Sequence, residues 1–291
     1  MQNPSRRAFF GGRPPEISNW DQCLLQIQRK TQGVLRQLDQ SDDQAVFTAS
    51  VIADLHHARQ LCHAFDIKLY LWGAQEHTED SAEPILWLDV SALNQLMPVD
   101  AEKKQWFMQA GVRMEQLKAA GFDAVAHLPD ELLVTNWLAD PRYQYRSFHD
   151  LAQSGLVHAS LLMADGTVSS LGPFGAQNTK PLNTALLRQI VPQLFQLAQT
   201  ELAQVVLAQK EWAGRYRWDI FQASNTDLNL SHLLLGHTGH LGILEWVVLD
   251  NHKLKPAGVV PDLALDSTVL IAAQDLDAVV RQQFDPDALF Y

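Results

Sequence analysis

The chain contains little cysteine and no long apolar run. Its two cysteines, Cys23 and Cys62, form no metal-ligand motif and suit a protein of a reducing compartment. No segment approaches the ~20 consecutive apolar residues that a transmembrane helix needs. With 291 residues, 47% of them hydrophobic, the chain can bury a full core without disulfides or structural metal ions.

Basic charge is also scarce. The sequence has 22 Lys and Arg residues against 33 Asp and Glu residues, and its formal net charge is −11. Nucleic acids and anionic membrane surfaces attract proteins that present a basic face. The charge balance therefore argues against both classes of partner.

The amino-terminal sequence matches an export signal only in its first part. Arg6-Arg7 is typical of a twin-arginine signal, but residues 11–16 (GGRPPE) stand where such a signal needs roughly 7–15 apolar residues. We expect residues 1–16 to form a flexible lead and the protein to be cytoplasmic. Whether Arg6-Arg7 has any export role stays open.

Hydrophobic periodicity predicts a mixture of helices and strands. The strands and helices alternate without the regularity of parallel βαβ units, which favours an α+β fold. The predicted helices cover 19–39, 51–65, 91–97, 112–120 and a long tract at 179–211, which Pro181 and Pro192 divide; the predicted strands cover 45–49, 68–73, 84–90, 104–110, 156–163 and 168–171; residues 266–284 are predicted as a strand followed by a last short helix.

Three glycines at a three-residue spacing mark the segment 233–249. Gly236, Gly239 and Gly242 follow an apolar run and precede a second one, so we expect a short helix or strand, a glycine turn and a buried strand. Glycine is useful where backbone amides must approach a ligand closely. A plain tight turn explains the same spacing, and the pattern alone leaves both interpretations open.

Two further groups of polar residues have weak functional signals. His56, His57 and His63 lie on one predicted helix without a carboxylate at ligand spacing, so we predict no metal site there. Residues 140–146 (DPRYQYR) are aromatic and basic within an acidic protein. They could hold a phosphate or a carboxylate, or their long side chains could cover the core.

Taken in order, five segments resemble the FAD-binding fold of the vanillyl-alcohol oxidase and p-cresol methylhydroxylase (PCMH) family. The closest likeness is to the flavin subunit of glycolate oxidase. The segments are the strand, helix and strand of 46–73, the stretch of 86–111 with "LDVSALN" and the start of an Ala-Gly-Val motif, the Ala-Asp-Gly-Thr hairpin within 163–171, the "DLNLSHLLLGHTGHLGILE" stretch of 227–245, and Phe284-Asp285-Pro286.

The resemblance implies that two α+β subdomains clamp an extended FAD. Backbone amides of glycine-rich turns would then face the pyrophosphate, and a separate cap domain would build the substrate site. The residues that the resemblance places at the cofactor are Trp72, Gly73, Ala74 and Gln75 in the first turn, and Gly236, His237, Thr238, Gly239, His240, Gly242 and Ile243 in the glycine stretch.

The sequence departs from the family in both phosphate loops. Of the glycines expected in the first loop, only Gly73 remains, and Glu76, Glu79 and Asp80 follow it. These carboxylates would repel a pyrophosphate unless they point away from it. The second loop, 133–140, reads LVTNWLAD and places Trp137 where a cofactor needs room. His77 is displaced by one residue from the position of covalent flavin attachment, so we expect no covalent link.

The cap domain is essentially missing from the sequence between 249 and 284, so no catalytic residue is transferred from the family. The helical tract 179–211 instead looks like an insertion. His237 and His240 replace small or acidic residues; they could contact a phosphate, bind a metal with His232, or have no such role, and we predict no metal site.

We expect a tail and helix over 1–40, a first subdomain over 41–125, a second over 126–262 and a remnant over 263–291. One functional hypothesis is an FAD-binding subunit related to 2-hydroxy-acid (glycolate or D-lactate) dehydrogenases, which works with a partner oxidoreductase subunit. The other is a non-catalytic relic of the flavin fold that acts as a scaffold or regulatory partner. A protein-interaction module, a third possibility, predicts an exposed apolar face on the helical tract 179–211.

Overall fold

Two β-sheets and seven α-helices form the described part of the chain, which is an α+β fold as predicted. The computed structural model describes residues 17–38, 43–74, 83–100, 102, 104–144, 147–175, 181–223, 225, 228–257 and 266–290. The expected flexible lead 1–16 and most of the first phosphate loop, 75–80, lie outside these ranges.

In chain order the helices are α1 (Asn19–Lys30), α2 (Ile52–Phe65), α3 (Met114–Ala119), α4 (Val134–Ala139), α5 (Ala185–Leu197), α6 (Glu201–Leu207) and α7 (Ser267–Phe284), and the strands are β1 (Val34–Gln37), β2 (Gln44–Thr48), β3 (Lys68–Leu71), β4 (Ile85–Asp89), β5 (Leu96–Pro98), β6 (Gln105–Gln109), β7 (Leu156–Leu162), β8 (Val168–Leu171) and β9 (Ile243–Asp250).

The first sheet has the strand order β1-β2-β4-β3. The strands β2, β4 and β3 are parallel, and β1 joins the edge antiparallel to β2. The helices α1 and α2 pack against each other, and Cys23, Leu55 and Phe47 bury their side chains in the shared core. This unit places the turn after β3, with Gly73, at one end of the parallel strands.

The second sheet is antiparallel, in the order β5-β6-β9-β7-β8. Its central strand β9 begins at Ile243, immediately after the glycine stretch, and β7 and β8 form the predicted hairpin around Gly166. The chain passes from the first sheet to the second between Asp89 and Leu96. The sequence predicted a boundary between two subdomains at residue 125. The order of the strands does not test that boundary, so it stays a prediction.

The first helix ends earlier than predicted. Ser18 caps it as expected, because its hydroxyl accepts a hydrogen bond from the Asp21 amide at 3.0 Å. However, α1 ends at Lys30 instead of near 39, and the following residues form β1. Gly33 permits this change of direction, since a Cβ there would lie 2.4 Å from the carbonyl oxygen of Thr48. The apolar residues of β1 continued the helical stripe and produced the wrong prediction.

Two other predictions of secondary structure are wrong, those for 91–97 and for 266–284. Residues 91–97 form a turn and the strand β5, which pairs with β6, instead of a short helix. Pro192 lies inside α5, and the helical tract breaks at Thr200, whose hydroxyl caps α6 by accepting the Ala203 amide at 3.2 Å. The segment 266–284 is one helix, α7, because Asp266 caps its start and apolar residues recur on one side to Phe284.

One contiguous core joins both sheets and the helices. The helix α7 packs against α5 and α6, and the chain then returns to the first sheet. There the Leu69 amide of β3 donates to the carbonyl oxygen of Leu289 at 2.9 Å, and Phe290 is buried beside β3. Among the described residues, no helix is both long and apolar enough to cross a membrane.

Candidate functional site

The glycine stretch forms a tight turn between a short 3-10 helix (Leu230–Leu234) and β9. Gly236, Gly239 and Gly242 all have positive φ angles, of 82°, 89° and 146°, and Thr238 has a φ of 53°. Glycine adopts such angles without the strain that a side chain causes. The predicted sequence of short helix, turn and buried strand is therefore confirmed.

Three backbone amides of this turn donate hydrogen bonds inside the protein. The Gly236 amide donates to the carbonyl oxygen of Leu138 at 2.7 Å, and the Thr238 amide donates to that of Ala139 at 2.8 Å. The His240 amide donates to the His237 carbonyl at 3.0 Å. These three donors cannot also face a pyrophosphate, so the turn serves as an anchor for the carboxyl end of α4.

The same helix, α4, also closes over the first turn. The side-chain nitrogen of Asn136 donates to the carbonyl oxygen of Trp72 at 3.0 Å. A Cβ built on Gly73 would lie 2.6 Å from that nitrogen, so the Asn136 side chain fills the space over the glycine. Trp137 is buried next to it. Gln75, the fourth residue expected in this turn, lies outside the described residues.

The structure brings the two expected cofactor segments to one place but leaves little space between them there. The cavity next to Gly239 and Gly242, which Leu71 of β3 and Phe290 also line, has a volume of about 10 Å³. A cavity of that size holds about one water molecule. A flavin ring or a pyrophosphate cannot enter this cavity.

His237 is the most isolated polar group of the site. It is 1% exposed, and neither ring nitrogen has a hydrogen-bond partner among the described residues. Burial without a partner disfavours the charged imidazolium and lowers the pKa of His237 to about 3. At neutral pH this side chain is therefore an uncharged part of the core, which does not suit a phosphate contact.

His240 belongs to a buried hydrogen-bonded group. Its Nδ1 lies 2.8 Å from the Tyr216 hydroxyl and 3.0 Å from the Thr238 hydroxyl. Burial, and secondarily the charges of Arg281 and Arg215, lowers the pKa of His240 to about 3. Burial also raises the pKa of Tyr216 to about 12. Both groups are thus held in their neutral forms at physiological pH.

A metal ion has no evident ligand set in the part of the chain that the structure describes, where no three His, Cys, Asp or Glu side chains cluster suitably. Burial, and then the charge of Arg217, lowers the pKa of His232 to about 3. On α2, His63 lies 3.2 Å from the Asp287 carboxylate. His56 takes part in a separate contact that the sequence did not predict.

That contact links helix α2 to the second sheet through a buried carboxylate. Glu245 of β9 lies 2.7 Å from the His56 imidazole of α2, and it accepts a hydrogen bond from the Ser160 hydroxyl of β7 at 2.7 Å. Glu245 is 4% exposed. Its two partners satisfy both oxygens, which explains how a carboxylate is tolerated inside the sheet. The only sequence signal was the position of Glu245 within an apolar run.

In the described part of the segment 140–146, the charges of Arg142 and Asp140 neutralise each other. Arg142 forms a bidentate pair with Asp140, with Nε–oxygen distances of 3.1 and 2.9 Å, while Asp140 itself is buried. The Arg142 guanidinium also lies 6.0 Å from the centre of the Tyr143 ring. The arrangement favours the interpretation in which this segment covers the core.

Replacing Gly242 by alanine should lower the free energy of unfolding by about 3 kcal/mol, because a strained φ and a steric clash combine. A Cβ at Gly242 would lie 2.7 Å from the carbonyl oxygen of Leu162. Gly236→Ala is the matched control: its φ is also positive, but the nearest atom would be 3.5 Å away, so a loss of about 1 kcal/mol is expected. Equal losses in urea unfolding would contradict this assignment.

No protein-family model matches the chain, and no curated protein sequence matches it. Solved structures are similar to it at low sequence identity. An alkyldihydroxyacetonephosphate synthase shares 14% identity with a TM-score of 0.42; the match covers 75% of this chain and 33% of the synthase. A BBE-like protein 1 of Physcomitrella patens (variant D396N) shares 12% identity with a TM-score of 0.46, over 80% of this chain and 44% of that one.

The 6-hydroxy-D-nicotine oxidase of Arthrobacter nicotinovorans shares 12% identity with a TM-score of 0.44, over 76% of this chain and 42% of the oxidase. This chain spans less than half the length of each. Because the three TM-scores lie below 0.5, the fold and the chemistry of this chain are judged from its own residues.

Proposed function

We propose that this protein is a non-catalytic relative of the PCMH-type flavoproteins, which acts as a scaffold or regulatory partner and has lost FAD binding. The observation that carries the proposal is the closed contact between the Gly73 turn, α4 and the glycine stretch. Asn136 occupies the space over Gly73, and the adjoining cavity measures only about 10 Å³. Side-chain packing thus holds these segments together at the place where a family member would hold its cofactor.

The use of the turn amides supports the same conclusion. Anion sites in proteins depend on backbone N–H groups that converge on the ligand. Here the amides of Gly236 and Thr238 donate to carbonyl groups of α4, and His237 is neutral and buried. Binding a pyrophosphate would require breaking these hydrogen bonds and displacing the Asn136 side chain.

An FAD-binding oxidoreductase subunit, related to 2-hydroxy-acid dehydrogenases and working with a partner subunit, is the second candidate. One observation favours it: the fold brings Trp72, Gly73 and the stretch from Gly236 to Gly242 against the same helix, α4. These are segments that the resemblance assigns to the cofactor.

The purified protein is expected to be colourless and to gain no thermal stability from excess FAD. A ligand that binds only the folded state at a hundredfold excess over its Kd stabilises that state by about 2.7 kcal/mol, which a thermal unfolding experiment detects readily. Absorption between the near ultraviolet and the visible range reports any flavin that co-purifies. A yellow protein, or a clear rise in Tm with FAD, would overturn the proposal in favour of the second candidate.

A titration with ADP separates the two halves of the cofactor. ADP carries the adenosine and pyrophosphate groups without the flavin ring, and it would need the same turn amides. We expect no rise in Tm with ADP. Stabilisation by ADP without stabilisation by FAD would indicate that the phosphate turns still function and would contradict the stated reason for the loss.

A further inference from the structure

The two cysteines of the chain lie against each other in the core, on different helices. Cys23 belongs to the middle of α1, and Cys62 belongs to the last turn of α2. Both side chains are 0% exposed, and their thiol groups form a hydrogen bond. The sequence contains no third cysteine. The fold thus brings the only two thiols of the chain into contact.

The packing of α1 on α2 suits a covalent link at this point. The distance between two packed helices depends on the side chains at their contact. On the buried side of α2, Ala58 lies one turn before Cys62, and both residues are small and 0% exposed. A disulfide needs Cα atoms that are ~4.4–6.8 Å apart and sulfur atoms that point toward each other. Small residues favour the first condition, and the hydrogen bond between the thiols meets the second.

We propose that Cys23 and Cys62 form a structural disulfide when the chain folds, or when α1 opens from α2, in the presence of a disulfide oxidant such as oxidised glutathione. The thiolate of one cysteine attacks a sulfur atom of the oxidant, which leaves a mixed disulfide and releases one reduced thiol. The second cysteine then attacks the protein sulfur of the mixed disulfide and releases the second reduced thiol. The protein loses two protons and two electrons, and the oxidant gains them.

The surroundings of the thiols determine when this reaction takes place. Burial, and secondarily the hydrogen bond with Cys23, raises the pKa of Cys62, while the charge of Arg59 opposes the increase. The thiolate is the reactive form of cysteine, so the closed protein should react slowly. Opening of α1 therefore controls the rate of oxidation. Once it has formed, the disulfide is shielded from reductants by the same burial.

The disulfide would also stabilise the first sheet. The chain between Cys23 and Cys62 contains β1 and β2, two strands of that sheet. A cross-link that closes a loop of this length restricts the unfolded chain more than the folded one. The oxidised protein should therefore unfold at a Tm about 5 °C or more above that of the reduced protein.

Oxidation under mildly destabilising conditions tests the proposal on the full chain. The reduced protein is incubated with oxidised glutathione in urea just below the unfolding transition, where α1 opens transiently, and is then returned to buffer. Its intact mass should fall by ~2 Da, because two hydrogen atoms are lost. Digestion without reductant should yield the peptide of Cys23 linked to the peptide of Cys62. Thermal unfolding before and after oxidation measures the rise in Tm.

Cys23→Ala and Cys62→Ala are the matched controls, since each variant keeps one thiol without its partner. Neither variant should gain stability from the oxidant. The measurements on the wild-type protein decide the outcome even if a variant folds poorly. Two thiols that stay reduced, disulfides that join separate chains, or an oxidised protein whose Tm is not raised would each overturn the proposal.

The disulfide proposal does not depend on the loss of FAD binding. Cys23 and Cys62 lie on α1 and α2, whereas the side chain that closes over the Gly73 turn comes from α4. Thiol content and flavin content are measured separately on the same sample. A yellow protein with the disulfide would overturn the proposed function alone, and a colourless protein that keeps both thiols would overturn the disulfide alone.

Discussion

Lowering the pH from 7 to 5 should reduce the free energy of unfolding by roughly 4 kcal/mol, because three buried histidines resist protonation. The pKa values of His232, His237 and His240 are each about 3 in the folded protein. In the unfolded chain these groups titrate near 6.5. The unfolded state therefore binds protons first, and the stability present above about pH 6.5 is lost as the pH falls toward 3.

Burial raises the pKa values of Asp219, Asp277 and Asp285, and these carboxyl groups oppose the trend. Burial raises the pKa of Asp277 to about 6, although the amides of Arg215 and Tyr216 and the charge of Arg215 act against the increase. The folded state therefore takes up this proton before the unfolded state does, and between pH 7 and pH 5 Asp277 stabilises the fold by about 1 kcal/mol as the pH falls. The histidines still dominate, since each contributes about 2 kcal/mol with the opposite sign.

Urea unfolding at a series of pH values measures the effect. His237→Leu should remove about 2 kcal/mol, or about half, of the net loss between pH 7 and pH 5. It should not reduce stability at pH 7, since it eliminates two buried nitrogens without hydrogen-bond partners among the described residues. His63→Gln is the control, because it removes an exposed histidine of α2 and leaves the three buried histidines unchanged. A His237→Leu profile as steep as that of the wild type would refute the assignment.

Replacing Arg217 by methionine should destabilise the protein by about 3–5 kcal/mol, because it leaves a buried carboxylate without its counter-ion. Arg217 and Asp219 form an ion pair in which both side chains are 2% exposed. The guanidinium also lies 5.3 Å from the centre of the Trp212 ring. Burial raises the pKa of Asp219 even though Arg217 opposes the increase, so the carboxylate is poorly placed to remain charged alone.

The double variant Arg217→Met with Asp219→Asn should recover at least half of that loss. It removes both charges and keeps a side-chain oxygen that can accept hydrogen bonds. Arg142→Met provides the surface comparison: the Arg142 side chain is 75% exposed, so losing its pair with Asp140 should cost less than about 1 kcal/mol. The idea fails if the double variant is no more stable than Arg217→Met alone.

Much of the local structure could be predicted from the sequence, because its causes are local. The Ser18 cap, the helix over 52–65, the hairpin around Gly166 and the glycine turn before Ile243 all follow from short-range patterns of turn residues and apolar periodicity. Local patterns failed where a distant strand decided the outcome. Residues 34–37 continue an apolar helical stripe, yet they pair with β2 at the edge of the first sheet.

The candidate site divides in the same way. The sequence indicated that Gly73 and the stretch from Gly236 to Gly242 belong together, and that the second phosphate loop was altered around Trp137. Only the tertiary structure shows that Asn136, 64 residues away from Trp72, is the side chain that closes over the first turn. No pattern in the sequence distinguishes Asn136 from an ordinary helix residue.

By itself the sequence determined the acidic charge, the α+β class and the three glycines that form the turn before β9. The tertiary structure decided what that turn does. It placed the amides of Gly236 and Thr238 against α4, and it brought His56 and Glu245 together across 189 residues of sequence. The physical reason is that secondary structure depends on neighbours along the chain, whereas the space for a cofactor depends on which distant side chains pack into it.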